Sequence, residues 1–276
     1  MSLPSFDRTW KNKSPIKPRI QVLEVRPREE PDGEPIAWLV VERTETYQRG
    51  EADGPVKEAT IRLVCERIMP KFSHAVTGRA EFSGAYDKDA GVVSLASLSV
   101  TGVGSIFNDL AGLRGQRVGT YLLNEIVTWA KQWPDATVKS IELLVHQASE
   151  ENTERRNRFY EQFGLVFDYR DPKHEEGFSR RMPGRDLNQV DTWRQNIKEW
   201  SMDEYLATTL YDAERARADL RAREQAVRNL VSDRNQAEAA PLRWALRILF
   251  WRYRDTVLMA AAVILIAVLA WFKLRG

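Results

Sequence analysis

The sequence predicts an α+β chain: a mixed, mostly antiparallel sheet flanked by helices, then a helical stalk and one transmembrane helix. Three observations predict it. The first hundred residues carry short β-branched and aromatic runs separated by turn residues. Residues 115–182 then alternate between helix-like and strand-like runs. From Asp191 the composition shifts to charged helix formers, and the chain closes on a long uncharged run.

Arg19–Val25 and Pro35–Glu42 read as strands, with Pro31-Asp32-Gly33 as the turn between them. Residues 43–56 are polar, contain Gly50 and Asp53-Gly54-Pro55, and read as a loop. Residues 57–69 fit two patterns. Ile61, Leu63 and Cys65 alternate as in a strand, whereas Ile61, Val64, Cys65 and Ile68 share a helical face. Val76–Tyr86 and Val92–Val100 read as strands joined by the turn 87–91, and 101–112 as a long loop. Gly115–Lys131 is expected to be a helix with Leu122, Leu123, Ile126, Val127 and Ala130 on its apolar face, ending before Pro134. Lys139–Val145 is a strand, Glu151–Phe163 a helix capped by Gly164, and Leu165–Tyr169 and Gly177–Met182 further strands.

Beyond Asp191, Leu206, Ala213, Leu220 and Val227 recur every seven residues, with Leu210 and Val231 at the companion spacing and Arg217 and Glu224 interrupting it. Both a weak coiled coil, with a homodimer through 200–232, and a solvated single helix fit. Residues 241–254 are basic and amphipathic, and fit a surface helix on an anionic leaflet or an extension of the span that follows. Thr256–Phe272 carries no charge and spans roughly 26 Å as a helix, close to a hydrocarbon core. Arg243, Arg247, Arg252 and Arg254 precede it and only Lys273 and Arg275 follow, so the positive-inside rule puts the bulk of the protein in the cytoplasm. The expectation is a single-pass, tail-anchored membrane protein in contact with a lipid bilayer. The expected boundaries are a folded domain over 1–187, the stalk over 188–240, the juxtamembrane segment over 241–254 and the transmembrane helix over 255–274.

A net charge of +2, from 41 basic and 39 acidic residues, gives no argument for nucleic acid. Cys65 is the single cysteine, so no internal disulfide is possible. His74, His146 and His174 lack metal-ligand spacing, and no metal is expected.

The chemistry concentrates in residues 113–164. Backbone N–H groups of Gly115, Gln116, Arg117, Val118, Gly119 and Thr120, at the start of a helix, can grip an anion, and Arg114 and Arg117 can add charge-assisted bonds to phosphate. Arg114–Leu123 resembles the acyl-CoA-binding segment of the GNAT superfamily of N-acetyltransferases. That pattern is Arg or Gln, two residues, Gly, one residue, then Gly or Ala. Arg114 fills the first place and Gly119 the last, while Arg117 stands where the family has its middle glycine. Tyr160, four residues before Gly164, has the spacing of the family's tyrosine helix. The resemblance covers roughly residues 75–182. The family's usual first helices are not clear in 26–72.

The resemblance implies acetyl transfer from acetyl-CoA, as co-substrate, to an amine of a protein or small molecule. Residues 114–120 would hold the phosphates, and Tyr160 would protonate or hydrogen-bond the departing thiolate. Relatives place a carboxylate on the strand before the phosphate loop. Val92–Val100 has none, which leaves Glu81 and Asp109 as candidates for the base. An inactive protein that keeps the fold as a membrane-tethered scaffold is the alternative expectation.

Overall fold

The computed structural model describes residues 19–50, 54–69, 78–101, 107–110, 112–145 and 152–275. One compact unit ends at Ala207 and a second begins at Thr208.

The first unit is α+β. Its strands are β1 (Ile20–Val25), β2 (Ala37–Arg49), β3 (Val56–Met69), β4 (Arg79–Asp87), β5 (Val92–Ser94), β6 (Phe107–Asp109), β7 (Thr137–Val138), β8 (Glu142–Leu143), β9 (Phe167–Tyr169), β10 (Gly177–Ser179), β11 (Met182–Pro183) and β12 (Ile197–Ser201). Its helices are α1 (Val118–Ala130) and α2 (Thr153–Glu161). The main sheet runs β11-β7-β5-β4-β3-β2-β1-β12, with β6 also paired to β4. Every pair in it is antiparallel except β5 with β7. A second, antiparallel sheet runs β8-β10-β9.

Alternation decides which face is buried. Ala37, Leu39, Val41 and Arg43 of β2 are buried, and Ile61, Leu63 and Cys65 of β3 lie in the same core. Of the two patterns that residues 57–69 fit, the strand is the one formed. Helix α1 covers this face with Leu122, Leu123, Ile126, Val127 and Ala130, each fully buried, as its spacing predicts. A leucine-sized side chain buried this way contributes about 1.5–3 kcal/mol. The helix starts at Val118, three residues later than expected, because Gly115 and Arg117 hold positive φ.

Polar bonds also tie α1 to the sheet. Arg43 donates to Glu125 at 2.6 Å, with both side chains under 10% exposed, and also pairs with Glu45. Tyr47 donates to Glu45 and accepts from the Trp129 indole at 3.2 Å. Burial of ionic groups at this density holds only while each keeps its partner.

Several boundaries differ from the expectation. Residues 43–49 extend β2 instead of opening a loop, because the hairpin pairs Arg43–Gln48 with Leu63–Glu58. The strand expected over 92–100 stops at Ser94, and a strand resumes at Phe107, inside the segment expected to be loop. Of the strand expected over 139–145 only Glu142–Leu143 (β8) forms, in the second sheet, while β7 of the main sheet lies just before it. Ile197–Ser201, expected within the stalk, forms β12 and pairs with β1. The folded unit therefore continues past 187. Residues 70–77, including His74, and 146–151, including His146, lie outside the described residues.

Helices α3 (Met202–Ala239) and α4 (Pro241–Arg275) follow. None of the residues of α3 is buried. The juxtamembrane segment and the apolar run fall on one helix, α4. Among the described residues no helix is long and apolar enough to cross a membrane, so the transmembrane helix expected over 255–274 is not found there. The side chains of 255, 257, 260–262, 265, 267–270 and 272–276, most of that run, lie outside the described residues.

Candidate functional site

Three features make up the candidate site. The first is the turn that opens α1. Leu110 and Leu113 are buried and anchor it, with the Leu113 N–H donating to the Leu110 carbonyl at 3.0 Å and the Gln116 N–H to the Leu113 carbonyl at 3.2 Å. Gly112 and Gly115 take φ 74° and 81°. Arg117, in the place where the resembled family has glycine, takes φ 62° and ψ 10°. An arginine thus adopts the left-handed shape that glycine reaches freely, at a cost of about 1–2 kcal/mol.

The first bond of the helix runs from the Tyr121 N–H to the Arg117 carbonyl at 2.9 Å, and no side chain caps the start. The N–H groups of Val118, Gly119 and Thr120 consequently have no partner within the helix. No acidic residue lies in the first turn. Arg114 is exposed beside these donors. The Arg117 guanidinium donates to Asn196 Oδ1 at 3.3 Å. Burial, and then repulsion from Arg28, depress its pKa. Gln116 is held on both sides: its side-chain oxygen accepts from the Arg28 N–H at 2.8 Å and its carbonyl from Asn196 Nδ2 at 3.2 Å. Thr120 Oγ1 accepts from Gln162 Nε2 at 3.3 Å, which joins the start of α1 to the end of α2.

The second feature is the parting of two parallel strands. The Thr137 N–H donates to Gly91 O and the Lys139 N–H to Val93 O, both at 2.8 Å. Past that point β5 ends, and the chain after β7 turns to the second sheet. Ile141 N–H donates to Ser179 Oγ at 2.8 Å, and Ser179 N–H to Ile141 O at 2.9 Å. Parallel neighbours that exchange bonds over two residues and then separate expose unpaired backbone between them.

The third feature is Tyr160. It is half-buried on α2, with Phe159 at 4.9 Å and Phe167 at 5.8 Å between ring centroids. Burial pushes its phenol up to about 12, with the Arg156 charge pulling the other way. Arg156, one turn earlier and buried, donates to the carbonyls of Leu144 (3.1 Å), His174 (3.2 Å) and Glu175 (2.9 Å). It clamps α2 to the end of β8 and to the turn between β9 and β10. Asp171 shapes that turn by accepting from the N–H groups of Lys173, Glu175 and Glu176, which hold its carboxyl below the usual range. Gly164 takes φ 86° after the helix, and a Cβ there would sit 3.1 Å from the Asp186 carbonyl.

The two candidate bases fare differently. Glu81 is engaged by Arg62 at 2.7 and 2.9 Å and by Arg79 at 3.2 Å. The Arg62 guanidinium holds its carboxyl below the usual range, which makes it a poor proton acceptor. Asp109 is better placed than its sequence context suggested. Strand β3 occupies one edge of β4, β5 pairs with Ala85–Asp87 on the other, and β6 pairs with Arg79–Glu81 further along that edge. Thus β6 takes up the line that β5 leaves, and the strand entering the turn that opens α1 is 107–109, not 92–100. It carries an acid, Asp109, whose side chain lies outside the described residues. Sequence reasoning named Asp109 as a candidate but assigned it to a loop, because Gly102 and Gly104 give 101–112 the composition of one.

Beside the turn, Arg26, Trp193, Arg194, Asn196 and Lys198 line a cavity of about 450 Å³. Among the described residues, no group of three or more His, Cys, Asp or Glu could hold a metal ion. Cys65 is fully buried, and burial pushes its thiol up to about 12. His174 is exposed and stacked on Tyr169 at 4.0 Å.

No family model and no curated protein matches the sequence. Among solved structures, the chain is similar to a domain from Methanocaldococcus jannaschii DSM 2661, at 11% identity over 45% of this chain and 67% of that one, with a TM-score of 0.27. A likeness that slight carries no argument about fold family or function.

Proposed function

We propose that the first unit is a GNAT-type acyltransferase that moves an acetyl group from acetyl-CoA to an amine. The observations that carry this are three: parallel strands β5 and β7 pair briefly and part, the start of α1 leaves N–H groups without a partner in the helix, and α2, joined to that start through Gln162 and Thr120, carries Tyr160. A pyrophosphate suits the Val118–Thr120 N–H groups, the positive end of α1 and Arg114. A pantetheine arm suits the parting, where it could bond to the backbone that the strands no longer share. The amine nitrogen attacks the thioester carbonyl carbon, the C–S bond breaks, and the sulfur leaves as thiolate. The ammonium proton must first go to a base, for which Asp109 has the strand position. Tyr160 donates a hydrogen bond to the departing sulfur.

The C-terminal run supports a second part of the proposal. Thr256–Phe272 is uncharged, and four arginines precede it against two cations after it. We infer that this run is a membrane anchor that keeps the first unit at the cytoplasmic face of a membrane, close to its acceptor. Removal of residues 255–276 should release the chain from the membrane fraction, and retention after alkaline extraction would refute a sole C-terminal anchor.

One observation favours a scaffold without turnover: a phenol as weakly acidic as Tyr160 is a poor proton donor. Calorimetry with acetyl-CoA on the full chain in detergent micelles, followed by thiol release over a panel of amines, separates the two. Absence of binding removes the acyltransferase. Binding without thiol release leaves the scaffold.

A further inference from the structure

Helix α3 presents an apolar stripe that, among the described residues, nothing in its own chain buries. Leu206, Leu210, Leu220, Val227 and Val231 are between 41% and 64% exposed. With Ala213, Arg217 and Glu224 they form one seam, at alternating spacings of four and three. The seam therefore carries one cation and one anion among apolar residues. Among the described residues, Glu214, Arg217, Arg221 and Glu224 form no ion pair within the chain, whereas Arg234 and Glu238 do, at 2.8 Å.

Charge decides what can lie against this face. In a parallel pair each seam residue meets its own copy. Arg217 would face Arg217, Glu224 would face Glu224, and Arg223 would flank Arg228 of the other chain. Each contact is repulsive and close to the axis. In an antiparallel pair with Leu210 opposite Val227, Leu206 falls opposite Val231, so two-fold symmetry gives two copies of each of these apolar pairs, while Leu220 lies opposite the stem of Arg217. In that register Asp203 meets Arg234, Glu214 flanks Arg221 and Arg217 lies diagonal to Glu224, and two-fold symmetry doubles all three. Every charge on the seam then has an opposite neighbour.

We infer that α3 pairs with α3 of a second copy of this chain, antiparallel, in the register that sets Leu210 against Val227. The pairing is independent of acetyl transfer. The paired segment, from Leu206 to Val231, is roughly 39 Å long, and the two Pro241 residues leave it at opposite ends.

Cysteine cross-linking of the full chain in detergent micelles tests this. Cys65 is buried, with its thiol pushed up to about 12, and does not compete. Leu210→Cys protein mixed with Val227→Cys protein under mild oxidation should give the mixed disulfide as the main product, while either variant alone should give little. Homodisulfide from Leu210→Cys alone, or a chain that light scattering finds monomeric, would overturn the proposal. A charge exchange supplies a second readout. Arg217→Glu should weaken dimerisation roughly tenfold, since both symmetric contacts turn repulsive, and Arg217→Glu with Glu224→Arg should restore it. Failure of the double variant to recover also overturns this register.

Discussion

Replacing Tyr160 with phenylalanine separates hydrogen bonding from proton transfer. Burial pushes the Tyr160 phenol up to about 12, whereas an ordinary thiol titrates near 8.5. Moving a proton from that phenol to a thiolate is uphill by roughly 3.5 pK units, or about 5 kcal/mol. Complete transfer is therefore a poor description of its role, and donation of a hydrogen bond to the developing anion a good one. Hydrogen bonds to charged groups contribute about 1.5–3 kcal/mol, so Tyr160→Phe should lower kcat by roughly 10- to 150-fold. The KM for acetyl-CoA should change little, because the bond strengthens only as charge develops on sulfur. The ring still packs on Phe159 and Phe167, so stability should hold. The assay is thiol release against pH. Because the folded pKa is raised, Tyr160 stays neutral well past pH 10 and should add no alkaline limb below about pH 11. Wild-type kcat in the phenylalanine variant would refute the role. An alkaline limb near pH 10 that vanishes in the variant would refute the burial reasoning.

Other consequences follow from packing and charge. Native Cys65 should resist alkylation at pH 8 and label only on unfolding, because it is fully buried and its thiol is pushed up to about 12; rapid native labelling would contradict the β3 register. Glu125→Leu leaves Arg43 with one buried partner instead of two, and should cost about 3–5 kcal/mol in urea unfolding. Arg43→Met together with Glu125→Leu should not simply add, since the two side chains share one ion pair; full additivity would show that the pair is not formed. Arg117→Gly should be more stable than Arg117→Ala by about 1 kcal/mol, since only glycine reaches φ 62° freely. Equal stabilities would mean that the turn is not left-handed there. The phenols of Tyr160 and Tyr169, both pushed up to about 12, and that of Tyr121, which burial pushes well above its ordinary value, should ionise later than a free tyrosine in an ultraviolet pH scan.

Periodicity served well where one face is buried and one is not. The apolar face of α1 was legible residue by residue, because a helix packed on one side of a sheet must repeat its apolar positions at helical spacing. The Tyr160–Gly164 spacing was legible too, since a positive-φ glycine with a carbonyl at 3.1 Å from its would-be Cβ tolerates nothing larger. Residues 43–49 were misread because they lie near a hairpin tip, where polar side chains on a strand look like loop. Val92–Val100 failed for the opposite reason. It is apolar enough for a strand, but only Val92–Ser94 of it pairs with β4, and further along that edge β6 takes the place. Nothing local to 95–106 records that hand-over.

The sequence by itself determined which segments seek burial, where α1 and α2 begin and end to within a few residues, and that Thr256–Phe272 lacks charge. These properties depend on neighbours within a turn or two of chain. Only the tertiary structure decided that β5 and β7 pair in parallel and then part, that β12 returns from beyond the expected boundary to cover β1, and that Arg117 keeps glycine's backbone shape while its side chain reaches Asn196. Those features join residues from about 45 to about 180 positions apart, as when Val93 meets Val138 and Gln21 meets Ser201. Such pairings are selected by the summed burial and hydrogen bonding of the whole sheet, a quantity that no short window of sequence contains.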